Sequence, residues 1–246
     1  MNLRLVTWNI HKGFSSFNRR LTVHELRDSL HGLGPDLVFL QEVQGLHLGH
    51  GARHADWPAQ PQHEFLAGGL WQSAYGHNVV YDHGHHGNAI LSRHAILHSH
   101  NQDVTHLHFE RRGLLHGTVE VPGLEQPLHC VCAHLSLFAG SRRFQLDALS
   151  QRLERLVPKD APLIVAGDFN DWRNQADELL ARRLGLAEAF SDTGKPARSF
   201  PAVLPLMRLD RVYLRGVRVR SCEVLKGAPW SRISDHAPLV VELTAP

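Results

Sequence analysis

Apolar residues in this chain follow two rhythms, and the chemistry sits where apolar runs stop. Leu3, Leu5, Val6 and Trp8 predict a strand ending at Asn9. After Pro35, residues 36–43 (DLVFLQEV) run almost unbroken to Glu42, as in a strand covered on both faces. Residues 162–171 (PLIVAGDFND) repeat that pattern and end in Asp168, Asn170 and Asp171. Further strands are predicted at 78–82 and 87–92, joined by the histidine-rich turn 83–87, and at 116–121, 127–135, 209–214, 217–225 and 237–243.

Helical spacing appears at Leu21, Val23, Leu26 and Leu30, with Thr22 as the cap. It recurs from Ser141 to Leu156, where Phe144, Leu149, Leu153 and Leu156 make most of one face. Shorter helices are expected at 63–71 and 174–184, and loops at 11–20 and 44–62. Helices alternate with strands, but several strands are joined by short turns, which implies mixed rather than purely parallel sheets. No repeat or linker interrupts residues 1–246, so one domain is expected.

The charge of +2 permits an anionic substrate without demanding one, and argues against a tight, processive hold on duplex DNA. Three cysteines are too few for a disulfide framework or a four-cysteine zinc site; Cys130 and Cys132, two apart in a strand, should pack on one face. The 20 histidines mostly lack metal-ligand spacing and read as scattered, solvent-facing imidazoles. No apolar run is long enough to span a bilayer, and the first residues read as a strand rather than a signal peptide. A cytoplasmic monomer is the expectation.

Four short motifs follow in order: TWN at 7–9, QEV at 41–43, GDFND at 167–171 and SDHAPL at 234–239. Glu42 at a buried strand end must be exposed or held by a cation, and magnesium needs only one or two carboxylates. Asn9 would be a neutral oxygen beside it. Asp168 can take a proton from water, and Asn170 can orient that water or bond a phosphate oxygen. Asp235 and His236 are adjacent on an extended segment and so diverge: Asp235 toward a metal, His236 toward a phosphate. A histidine working near neutral pH needs an orienting carboxylate, and Asp210 is the candidate. His11 and Lys12, next to Asn9, and Arg112, in one of four arginine pairs, suit an anion.

These motifs, with GNAILSR at 87–93, AHL at 133–135 and RLDRVYL at 208–214, resemble the endonuclease/exonuclease/phosphatase superfamily over residues 5–243. The resemblance implies an α/β fold, a four-layer sandwich of two mixed sheets face to face with helices outside and the site at one end. It implies Mg2+ or Mn2+ at Glu42 with Asn9 and Asp235 close by. It also implies Asp168 as the water-activating residue, Asn170 positioning the phosphate, and His236, oriented by Asp210, contacting the scissile group. His134 fits the branch with a histidine at the remaining position, and Asn88 of GNAILSR joins the substrate contacts. The expected activity is hydrolysis of a phosphate ester, most specifically a phosphodiester. A DNA or RNA nuclease, a phospholipid or inositol-phosphate phosphoesterase, and an idle phosphate-binding protein remain as alternatives. The apolar stretch 195–208 is either a loop folded on the sandwich edge or a contact for a lipid or base.

Overall fold

A computed structural model describes residues 2–245. The first half of the chain gives β1 (Asn2–Asn9), α1 (Val23–Leu33), β2 (Leu37–His47), α2 (Leu48–Arg53), α3 (Gln62–Ala67), β3 (Gln72–Tyr81), β4 (Gly84–Ser92), β5 (Ile96–Asp103) and β6 (Gly113–Val119). The second gives β7 (Leu128–His134), α4 (Ala139–Leu156), β8 (Leu163–Asp168), α5 (Gln175–Leu184), β9 (Ala187–Glu188), β10 (Asp210–Arg215), β11 (Arg218–Val224), α6 (Trp230–Ile233) and β12 (Leu239–Thr244).

The strands form two mixed sheets, ordered β11-β12-β1-β2-β4-β3 and β5-β6-β7-β8-β10-β9. Leu5, Phe39, Ile90, Cys130, Cys132, Ile164 and Val241 fill the space between them. The alternate residues Val6, Trp8, Val38 and Leu40 face outward onto α1 and α3. Val131 and Val165 likewise face Leu149, Leu153 and Leu180 of α4 and α5. Central strands are therefore buried on both faces, which is why their sequences are continuously apolar. The result is the expected four-layer sandwich, with both cysteines of β7 on one inner face.

Each sheet has one parallel pair at its centre, β1 with β2 and β7 with β8. Parallel neighbours end at the same edge. Gly167 lets β8 leave that edge at φ +143°, where an added Cβ would lie 1.9 Å from the Ala133 carbonyl oxygen. Gly167→Ala is expected to destabilise the chain by about 2–4 kcal/mol, from the clash and the backbone strain together. A denaturant midpoint unchanged from the native one would show that β7 yields freely.

Five expectations change. Strand β2 does not stop at Glu42 but continues to His47, and residues 44–62 hold α2 rather than one long loop. The histidines of 83–87 are mostly inside β4, the turn being only Asp82 and His83. On α4, Leu146, Leu149 and Leu153 face the core while Phe144 and Leu156 stay exposed, because Arg142, Gln145 and Arg152 occupy the rest of the inner face. The Thr22 side chain makes no cap bond to α1; its hydroxyl donates to the Ile233 carbonyl at 2.7 Å.

Candidate active site

Strand pairing gathers the polar residues at one edge. Asn9 is level with Gln41 across β1 and β2, and His134 is level with Asp168 across β7 and β8. Antiparallel β10 starts at that edge, so Asp210 faces Asp168 in register. β12 also starts there, and the Trp8 indole N–H donates to the His236 carbonyl at 2.8 Å, fixing the segment before it.

Glu42 reaches the cleft through a bulge. Pairing of β2 with β4 slips between Leu40 and Val43, and Glu42 adopts φ +57°. His11 (φ +45°), Lys12 (φ +59°) and Asn170 (φ +48°) are also left-handed. Non-glycine residues there cost roughly 1–2 kcal/mol each, so four around one cleft mark strain held by the surrounding fold. Asn170 therefore does not share an extended segment with Asp168. Its side chain reaches the cleft through a turn, closed by Asn170 N–H donating to Asp168 Oδ1 at 2.9 Å.

Asp168 is the hub. Its Oδ2 accepts from Asn9 Nδ2 at 3.1 Å and lies 3.6 Å from His134 Nε2 and 3.8 Å from His236 Nε2. Burial pushes its pKa up to about 6, the Asp210 charge adds to that, and His236 and the bonds from Asn170 and Asn9 oppose it. His236 Nδ1 bonds Asp210 Oδ2 at 2.8 Å, and the Ser199 hydroxyl donates to the same oxygen at 2.5 Å. Burial alone would lower the His236 pKa, but Asp210, Asp168 and Asp235 outweigh it and raise it to about 10. His134 goes the other way: burial and the Arg112 charge hold it well below the usual imidazole range. At neutral pH the cleft thus contains one imidazolium and one neutral imidazole.

Burial acts to raise the Glu42 pKa, but neighbouring positive charge holds it below the usual carboxylate range. Since His134 is neutral, Lys12, with Nζ 3.6 Å from Glu42 Oε2, is the cation that keeps the carboxylate ionised, and Asn9 Nδ2 adds a bond at 3.3 Å. Asp235 lies apart from His236 and points toward His11, 4.0 Å from Nε2. Glu42, Asn9 and Asp235 carry the hard oxygen donors that suit a magnesium-like ion, although Asn9 turns its Nδ2 toward Glu42 and its Oδ1 accepts from the His11 N–H at 3.1 Å. Asp168, Asp210 and His236 also lie close enough together for a metal. Within the trio His236 Nδ1 bonds Asp210 while its Nε2 faces Asp168 at 3.8 Å.

The cleft has a volume of about 250 Å3. Asn9, Glu42, Arg112, His134, Asp168, Asn170 and His236 make its polar wall, and Leu137, Trp172, Phe200 and Met207 an apolar one. Arg112 is steadied by Glu110 at 3.1 Å. Asn88 sits deeper: fully buried, its Nδ2 donates to the Gly113 and Cys132 carbonyls at 3.0 and 3.3 Å, tying the sheets together. His86 joins Glu42, Asn88 and Arg112 around a small recess beside the cleft, with its pKa lowered by burial to about 4. The other histidines are not simply scattered. His47 and His50 stack at 3.6 Å between ring centres, and His50 packs on Trp57 and Phe14. Sequence reasoning missed Ser199, Glu110 and Trp172. Only Trp172 carried a signal, as an aromatic directly after GDFND.

Residues 6–236 match the family model described as endonuclease/exonuclease/phosphatase family. The chain belongs to that family. It is 43% identical over 244 residues to "Uncharacterized protein YbhP" of Escherichia coli strain K12, covering 98% of this chain and 96% of that protein. Its fold is similar to that of D. rerio TDP2 complexed with single-strand DNA product, with a TM-score of 0.73 and 21% identity over 99% of each chain. It is also similar to a mannosyl-6-phosphatase of Bacteroides thetaiotaomicron, with a TM-score of 0.72 and 17% identity over 98% of this chain and 99% of that one. At these identities the two structures establish the shared fold. No described helix is long and apolar enough to cross a membrane.

Proposed function

We propose that this chain is a metal-dependent phosphoric ester hydrolase acting on a phosphodiester, with residues 1–246 working as one unit. The observation that supports this most is the convergence of a buried, raised-pKa Asp168 with an ionised Glu42, an imidazolium and two amides at one sheet edge. Family enzymes usually use divalent metals, and a phosphoesterase activity is the common ground among them. A divalent ion held by Glu42, with Asn9 and Asp235 beside it, would supply positive charge against the scissile phosphate oxygens and the leaving group.

The chain's own groups do the rest. Asp168 takes the proton of the attacking water, and its raised pKa makes it a stronger base than a solvated aspartate. His236 Nε2–H, kept charged by Asp210, donates to a nonbridging phosphate oxygen. Neutral His134 and the Asn170 amide donate to the others. Lys12, His11 and Arg112 line the approach and attract the anion. The products are a phosphomonoester and an alcohol.

The test is hydrolysis of bis-p-nitrophenyl phosphate, plasmid DNA, RNA, phospholipid and inositol phosphates with and without chelator. Chelator should abolish turnover, and Mg2+ or Mn2+ should restore it. Glu42→Ala should need at least about tenfold more metal, in line with loss of a carboxylate ligand from a site that has few. Full activity of Glu42→Ala at low magnesium would remove Glu42 from the role of principal ligand. A chain inert on every ester yet binding phosphate would instead be an idle family member.

A further inference from the structure

We infer that this chain works docked on an anionic phospholipid surface, seated by a rim of apolar and basic residues around the mouth of the cleft. The inference builds on reading the cleft as a phosphoester site, and it names the surface on which that site would operate.

Four segments, 107–112, 135–143, 172–175 and 195–209, meet around the opening. Phe109 and Phe138 pack edge to face at 5.9 Å, and Leu137 N–H donates to Glu110 at 3.0 Å. The Arg142 guanidinium lies over Trp172 at 4.6 Å, and Arg208 bonds Asn174 at 3.2 Å. Phe200 and Met207 are bridged as a tight hairpin whose tip carries Val203, Leu204 and Leu206. Leu137, Trp172 and Met207 run from the cleft wall onto this rim, so the apolar surface is continuous with the site. Outside the wall, Phe109 is 77% exposed and Val203 71%, with Leu204 and Leu206 well over half exposed. A contiguous exposed apolar surface around a cleft mouth marks an interaction face rather than ordinary scatter.

Charge selects the occupant. The four segments hold seven arginines and Lys195 against a single acid, Glu110, in a chain whose whole net charge is +2. Glu110 is already spent on Arg112 and on Ser136. Arg111, Arg143, Arg173, Lys195 and Arg198 are exposed, and none is in an ion pair among the described residues. Unpaired cations around exposed apolar tips suit the headgroup and acyl boundary of an anionic bilayer. A single-stranded nucleic acid would also attract the cations, but it needs π-faces on which bases stack. Phe109, Phe138 and Trp172 offer such faces, but the protruding hairpin tip, Val203, Leu204 and Leu206, is wholly aliphatic and offers none, which favours the lipid surface.

The experiment measures binding rather than turnover. Full-length protein is sedimented with mixed phosphatidylglycerol–phosphatidylcholine vesicles, with pure phosphatidylcholine as the neutral control and a single-stranded oligonucleotide as competitor. Retention on the anionic vesicles, weakened by salt, is expected. Combined Val203→Ser, Leu204→Ser and Leu206→Ser should lower apparent affinity about tenfold or more, as should combined Arg111→Gln, Arg173→Gln and Arg198→Gln. Circular dichroism melts establish that both variants fold, and Phe109→Ser replaces the first if it does not. Vesicle binding untouched by these changes, or absent, overturns the inference. Displacement by the oligonucleotide through the same residues overturns it in favour of nucleic acid. A protein that binds vesicles but hydrolyses no ester keeps the docking surface and loses the hydrolase reading.

Discussion

Asp168→Asn is expected to slow turnover by about two orders of magnitude or more while ligand affinity stays nearly unchanged, because a positioned general base contributes about 10²–10⁴-fold. The substitution keeps size and shape. One side-chain oxygen remains to accept from the Asn170 N–H, which now bonds Oδ1 at 2.9 Å. What disappears is the atom that takes the proton, and with it the negative charge 3.8 Å from His236 Nε2. The contact with Asn9 Nδ2 keeps an oxygen acceptor only if the new amide turns its oxygen toward Asn9, whose own amide is fixed by Glu42 and the His11 N–H. Turnover of a soluble diester and inhibition by inorganic phosphate separate the two effects. Normal turnover with collapsed phosphate binding would make Asp168 a scaffold rather than a base.

His236→Ala is expected to cost about 10²–10³ in turnover, the range for removing one donor to a developing oxyanion. Asp210→Asn should cost less, and the double variant should be no worse than His236→Ala alone, since the carboxylate acts only through the ring. The geometry gives Asp210 little else to do in the cleft. It is fully buried, and its Oδ2 is shared between His236 Nδ1 and the Ser199 hydroxyl. Asp210→Asn should also lower the imidazole pKa from its raised position near 10, because the Asp210 charge does more than any other neighbour to raise it. Ring-proton chemical shifts followed against pH read this directly. Additive losses, or an unmoved imidazole titration, would break the pairing.

How much of this was legible follows from what each residue type announces. Strands buried on both faces declare themselves by unbroken apolarity, so β1, β2, β7, β8 and β12 were visible, and their last or first polar residues led to Asn9, Glu42, His134, Asp168 and His236. The resemblance of the motifs, rather than spacing, tied these distant pieces to one fold. β5 left no trace: ILHSHNQD is a polar edge strand that pairs only with β6, and edges are kept hydrophilic to avoid mispairing. The continuation of β2 past Glu42 was hidden because a bulge depends on the partner strand, here β4, and not on local pattern. Ser199 was hidden for a similar reason: only the turn between residues 200 and 207 brings its hydroxyl to Asp210. The face of α4 was misjudged because Arg142 and Gln145 are spent inward on carbonyls and a loop N–H, leaving Phe144 outside.

The position of β12 governs when the chain can first act. It lies between β11 and β1, so β1, made before the other strands, has an empty side until β12 follows it from the ribosome. The Ser234 hydroxyl then donates to the Asn9 carbonyl at 2.7 Å and the Trp8 indole to His236, joining early and late products of synthesis at the cleft. A nascent chain has Asn9, Glu42 and Asp168 but neither His236 nor the strand that holds β1 in place. On the proposed reading, activity needs β12 in place, and a polypeptide ending before that strand is expected to be inactive.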